Sequence, residues 1–271
     1  MSTTTFQTVT SADGTTIAYQ TVGEGPPVIL IGGAFNDRST VAGLAAALAP
    51  PVMAISYDRR GRGDSTDNST PGDFSVDREI DDLAAVIDNV GGNVGLFGHS
   101  SGGLLAADAV LHDLPVDKLA VYEPSFIPDG ARPQPPADLL DRLKELISNA
   151  DSDAAAALFL REHVGVPEPV VTEMRTGQAW DFLTSLAHTL PYDVALGSSD
   201  RLGGNRLAAI NIPTLAINGD RTGDWLQAAT KTIADLVPGA RHAVLEGQDH
   251  GVLHNPEALR PLLTDFFKDA L

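Results

Sequence analysis

The segment that most restricts how this chain can fold is Gly98-His99-Ser100-Ser101-Gly102. It follows an apolar run at 94–97 and precedes an Ala/Leu-rich stretch at 104–111. That context places a serine on a tight turn between a buried strand and a helix. Each position has a physical reason. Gly98 and Gly102 lack a Cβ, so the flanking backbone can pass close on either side. The serine hydroxyl is lifted above the strand ends, and the new helix aims its unpaired N–H groups and positive end at it. G-x-S-x-G in this setting predicts Ser100 as a nucleophile and the Ser101 N–H as a donor to an oxyanion. Ser101 itself lies one residue past the motif centre, which argues against it as the nucleophile.

Around this turn the chain alternates strand and helix. Alternating residues at 6–10 and 15–20 flank Asp13-Gly14, a hairpin signal. Continuous apolar runs at 27–31 and 52–57 suit strands buried on both faces, and apolar segments at 94–97, 119–122, 214–217 and 242–245 supply further strands. Helical spacing appears at 39–48 and 76–90. The order predicts an α/β fold: a mostly parallel central sheet of about eight strands with helices on both faces. Residues 125–206 contain no strand signal. After a Pro-rich start they read as helices at 137–149, 152–163 and 169–190. The expected organisation is a core of 1–124 and 207–271, with 125–206 as a helical cap inserted after the sixth strand.

The segment Asp58-Arg59-Arg60-Gly61-Arg62-Gly63-Asp64-Ser65 resembles the D-x-R-G-x-G-x-S loop of α/β-hydrolases. The order of strands, serine turn, helical insertion and late histidine resembles that family from end to end. Its motifs are specific to the fold and unspecific about substrate. The resemblance implies a second oxyanion donor in the loop after the third strand, usually H-G-x. The matching residues are Gly32-Gly33-Ala34, which makes the Ala34 N–H the donor, with Gly32 in place of the usual His. That replacement relaxes the loop packing and leaves the backbone donor intact.

The resemblance also supplies the base. Of seven histidines, His250 lies in Leu245-Glu246-Gly247-Gln248-Asp249-His250, which matches the family's final loop. His99 is expected to pack the turn and His254 to be a surface residue. The acid departs from the pattern. Counting G-x-x-D from Gly219 lands on Thr222, with Asp220 two residues early and Asp224 two late. Some family members instead place the acid after the sixth strand, where this chain has Glu123. A carboxylate at the end of a buried strand sits where open α/β sheets carry out chemistry. Glu123 is the favoured acid, with Asp220 and Asp224 as alternatives.

The expected chemistry is acyl transfer to water: hydrolysis of an ester or lactone of a small to medium apolar molecule. The alternatives are C–C bond hydrolysis and a homologue that binds or rearranges a small molecule without hydrolysing it. Phe35, Phe126, Trp180 and Tyr192, with Phe182 and Leu183, are candidate substrate contacts. No cofactor or metal is expected: there is no Cys, the histidines are scattered, and no nucleotide-binding glycine loop opens a helix. A net charge of -18 opposes nucleic acid and anionic membranes. No apolar run approaches the roughly 20 residues of a membrane span, and the N-terminus lacks a signal-peptide pattern. The expectation is a cytoplasmic protein with a small-molecule substrate; the oligomeric state is not legible.

Overall fold

The computed structural model describes residues 6–69, 72–197, 199–202 and 204–268. Residues 1–5 of the N-terminal segment lie outside the described residues. The strands are β1 (Gln7–Thr10), β2 (Thr16–Val22), β3 (Pro27–Ile31), β4 (Met53–Tyr57), β5 (Val94–His99), β6 (Val116–Tyr122), β7 (Thr214–Gly219) and β8 (Arg241–Leu245). They form one sheet in the order β1-β2-β4-β3-β5-β6-β7-β8. The β1–β2 and β2–β4 pairings are antiparallel and all the others parallel. This is the expected α/β architecture.

Strand alternation divides the core between the two faces. Ile29, Ile31, Leu96 and Val121 pack with α2 (Val76–Asn89) and α3 (Ser101–Leu111), whereas Val28, Leu30, Phe97 and Ala120 pack with α1 (Arg38–Leu48) and the last helix, Pro256–Phe267. Both sides of β3 and β5 are therefore apolar, which is why these strands read as unbroken hydrophobic runs. From β3 the chain crosses to β4 on one side, and from β5 it moves to β6 on the other. The β3/β5 boundary is thus a topological switch point, where a crevice opens at the strand ends.

Between β6 and β7 the described residues form helices and no strand: α4 (Leu139–Ser148), α5 (Ser152–Leu158), α6 (Glu168–Met174), α7 (Trp180–Ser185), α8 (Leu190–Leu196) and α9 (Ser199–Leu202). Two expectations are corrected here. The helix expected over 152–163 changes to π geometry at Phe159–Val164 and ends at Gly165, whose φ of +88° suits glycine. The single helix expected over 169–190 is broken into α6, α7, a 3-10 turn and α8. Gly177 ends the first piece, its carbonyl accepting from Trp180 N at 3.1 Å, and Pro191 in the first turn of α8 has no N–H to continue a preceding helix. The core resumes with α10 (Asp224–Leu236) and ends with α11 (Pro256–Phe267).

Candidate active site

Ser100 is the residue between β5 and α3, with φ +57° and ψ −125°. A side-chain-bearing residue rarely holds this conformation, and the surrounding backbone enforces it. A Cβ on Gly98 would lie 2.3 Å from Gly102 O, and one on Gly102 would lie 2.3 Å from Ile31 O. Both glycines are therefore obligatory for the turn to pack against β3. Ser100 N donates to Tyr122 O at 3.0 Å, tying the turn to β6.

Glu123 follows β6 directly, is fully buried and has φ +45°. A buried carboxylate without partners costs several kcal/mol, and this one has three donors. Gly219 N binds Oε1 at 2.8 Å; Thr222 Oγ1 and His250 Nδ1 bind Oε2 at 2.9 and 2.7 Å. The His250 Nδ1 is thus committed to Glu123, and Nε2 has no hydrogen-bond partner among the described residues. The two other carboxylates weighed from the sequence point elsewhere. Asp220 is exposed and accepts from Gly247 N at 2.7 Å, and Asp224 is exposed at the start of α10. Thr222 was missed as a site residue. Its signal was the G-x-x-D count, which lands on it: its hydroxyl serves the carboxylate that comes from another strand.

The histidine loop is held from below. Tyr122 Oη donates to Asp249 O at 2.7 Å, and His99 Nε2 lies 2.9 Å from His250 O. Burial, with His250 adding to it, lowers the His99 pKa to about 3, so this ring is neutral and Nε2 carries the donated proton. His99 also stacks against Tyr122. Ser100 and His250 line the same cavity, and among the described residues no hydrogen bond joins their side chains.

Beside Ser100 lies the loop after β3. Neither the Ala34 N–H nor the Ser101 N–H has an acceptor among the described residues. Gly33 sits so close that a Cβ there would lie 2.7 Å from Ser100 Cβ. The expected relaxation at Gly32 does not occur. Asn36 fills the space, with its Cβ 2.7 Å from where a Gly32 Cβ would be, and its Oδ1 accepts from Gly33 N at 3.1 Å.

A family model described as the alpha/beta hydrolase family matches residues 28–262. The chain belongs to this family. It is 43% identical to an alpha/beta hydrolase of Sphaerobacter thermophilus of known structure, with a TM-score of 0.89, covering 96% of this chain and 100% of that one. It is 27% identical over 269 residues to the non-heme chloroperoxidase CPO-A1 of Kitasatospora aureofaciens, covering 91% of this chain and 93% of the relative. An esterase of Exiguobacterium antarcticum shares the fold at 22% identity, with a TM-score of 0.73 over 98% of this chain and 100% of the esterase.

In this alpha/beta hydrolase a cavity of about 800 Å³ reaches Ser100, Ser101, Ala34, His99 and His250. Its apolar wall includes Phe35, Phe159, Leu160, Met174, Phe182 and Leu183. Three expected substrate contacts do not line it. Trp180 is buried among the inserted helices, its Nε1 donating to Asp153 Oδ1 at 2.9 Å. Tyr192 is buried, donates to Asp67 Oδ2 at 2.9 Å and meets the Phe74 ring edge-on. Phe126 packs against the α2/α3 side of the core. Trp180 and Tyr192 lie on α7 and α8 with their rings turned inward, and Phe126 is half-buried in the segment after β6. His254 is exposed and belongs to the cavity wall, and His188 binds Gly61 O at 2.7 Å away from it. Among the described residues no group of three His, Asp or Glu could hold a metal ion, and no helix is long and apolar enough to cross a membrane.

A buried ionic cluster that the sequence did not signal lies beneath the loop after β3. Arg59 binds Glu79 through Nε and Nη2, both at 2.7 Å, and Asp193 through Nη1 at 2.8 Å. Arg62 Nη2 binds the other Asp193 oxygen at 2.9 Å. Two cations face two anions, so the cluster is neutral. Burial alone would raise the Asp193 carboxyl, but Arg62 and Arg59 hold it below the usual carboxylate range.

Proposed function

We propose that this protein is a serine hydrolase that cleaves a carboxylic ester or lactone of a small to medium apolar molecule through an acyl-enzyme on Ser100. The observation that carries this reading is the 2.7 Å bond from His250 Nδ1 to buried Glu123, in a cavity that also holds the strained Ser100.

In this reading Ser100 Oγ attacks the acyl carbon while His250 Nε2 takes its proton. Glu123 holds the imidazole in its tautomer and stabilises the imidazolium. The carbonyl oxygen becomes an oxyanion between the Ala34 and Ser101 N–H groups, where the positive end of α3 also points. His250 returns the proton to the leaving alkoxide, and the alcohol departs. Water then repeats the sequence, with His250 as its base, and releases the carboxylic acid. The apolar wall favours a hydrophobic acyl or alcohol group, and the inserted helices act as a lid over the strand ends.

A fluorophosphonate probe tests the proposal. The expected result is a single adduct mapped to Ser100, abolished in His250→Ala, together with turnover of p-nitrophenyl esters or lactones. A folded protein that forms no adduct and hydrolyses none of these substrates would overturn it. Halide oxidation is assayed in parallel, because the Kitasatospora relative is a chloroperoxidase.

A further inference from the structure

The charged cluster under the site bears on how the oxyanion donors are aimed. Arg62 Nη1 donates to Gly33 O at 2.5 Å, and that carbonyl also accepts from Asn36 N at 3.3 Å. Gly33 C=O and Ala34 N–H belong to one peptide unit. In a planar trans peptide the two groups point in opposite directions. Holding the carbonyl down toward Arg62 therefore turns the Ala34 N–H the other way. A cation on the carbonyl oxygen also polarises the unit and strengthens its N–H as a donor.

Asp193 on α8 is the common anchor. One carboxylate oxygen accepts from Arg62 Nη2 at 2.9 Å; the other accepts from Arg59 Nη1 at 2.8 Å and from Ser101 Oγ at 2.6 Å. Arg59 Nη1 also reaches Gly32 O and Ser101 Oγ, each at 3.4 Å. All four side chains are at least 98% buried. One carboxylate from the inserted helices thus touches the residue carrying one donor N–H and the guanidinium that pins the peptide carrying the other.

We infer that Asp193 is a positioning residue for the oxyanion hole, acting through Arg62 on the Gly33–Ala34 peptide and directly on Ser101. The inserted helices then contribute to transition-state stabilisation as well as covering the site. This rests on the hydrolase reading above for its catalytic consequence, though not for its geometric one. Removing an oxyanion donor outright costs about 10²–10³ in kcat. Misaiming both donors costs about tenfold to a hundredfold and leaves substrate binding nearly untouched.

The test compares the wild type with Asp193→Asn and Arg62→Lys. Three properties are read: ester hydrolysis, affinity for an alkyl trifluoromethyl ketone, and the backbone amide resonance of Ala34 in ¹⁵N-alanine-labelled protein. The expected result is a fall in kcat of about tenfold to a hundredfold with KM within about twofold. Ketone affinity should fall by the same factor and the Ala34 amide should shift, with Arg62→Lys giving a smaller change of the same kind. Lower thermal stability with unchanged kcat, ketone affinity and Ala34 resonance would mean that the cluster is only structural, and would overturn the inference. Should Asp193→Asn not fold, Arg62→Lys alone carries the same three readings. A wild type that neither hydrolyses esters nor forms a fluorophosphonate adduct, yet shows the Ala34 shift in the variants, would sink the hydrolase reading and leave the positioning role standing.

Discussion

His250 Nδ1 and Glu123 Oε2 lie 2.7 Å apart, although 127 positions separate the two residues in the chain. The pair joins the end of β6 to the loop after β8, with β7 between them in the sheet. Glu123→Gln keeps the side-chain shape and removes the charge that would stabilise an imidazolium. The expected outcome is a kcat lower by about 10³–10⁴ with little change in KM, the scale seen when a triad carboxylate is neutralised. Asp220→Asn and Asp224→Asn should keep wild-type turnover. Steady-state kinetics on the three variants decides: loss in Asp220→Asn with Glu123→Gln unaffected would assign the acid to Asp220.

Ser100 sits at φ +57°, a conformation that costs a side-chain-bearing residue about 1–3 kcal/mol. Ser100→Gly removes the strain together with the proposed nucleophile. Unfolding free energy should rise by about 1 kcal/mol, within that range. Hydrolysis should fall by about 10⁶, the scale of losing a nucleophilic serine. Urea titration alongside an ester assay reads both. A variant less stable than the wild type would mean that the hydroxyl contributes more than the backbone strain costs.

Phe35 meets the Phe159 ring edge-on, with centroids 5.5 Å apart, and lines the cavity next to Ala34. Phe35→Ala removes side-chain volume and keeps the backbone donor. The ratio of kcat/KM for long over short acyl esters should rise about tenfold, since each extra methylene in an apolar pocket is worth about 1–3 kcal/mol. Equal losses for all chain lengths would place the acyl chain elsewhere.

Burial holds His99 neutral, with its pKa lowered to about 3, and His250 adds to the effect. His163 is lowered to about 4, mainly by burial; Asp193 opposes and Arg132 adds to the lowering. In the unfolded chain these rings titrate near about 6.5. Between that pH and about 4 the unfolded state binds protons that the native state does not. Stability therefore falls on acidification, by up to about 1.4 kcal/mol per pH unit for each ring. Asp82 opposes: burial raises its carboxyl to about 6, so the native state takes up that proton first. Asp58, also raised by burial, opposes in the same sense, so the histidine contribution is read by removing one ring. Denaturation midpoints at pH 7 and pH 5 should differ less in His163→Phe than in the wild type. The same difference in both proteins would contradict the assignment to His163.

What the chain order determined by itself was local and periodic. Unbroken apolar runs such as Pro27–Ile31 specify strands covered on both faces, and Gly98-His99-Ser100-Ser101-Gly102 specifies a turn that only glycines allow to close. These follow from φ/ψ limits and side-chain burial within a few residues, so they are legible without a partner. Tertiary structure decided whatever depends on which distant atoms meet. Glu123, Asp220 and Asp224 are all carboxylates near strand ends, and only the side-by-side order of β6, β7 and β8 brings Glu123 to Thr222 and His250. Trp180 and Tyr192 were equally aromatic candidates for the cavity until their polar ends bonded to Asp153 and Asp67, away from it. Asp193 carried no signal in the sequence, because a buried ion pair is defined by its partners. Arg59 and Arg62 lie more than 130 residues away and meet it only once the inserted helices pack onto the β4 loop.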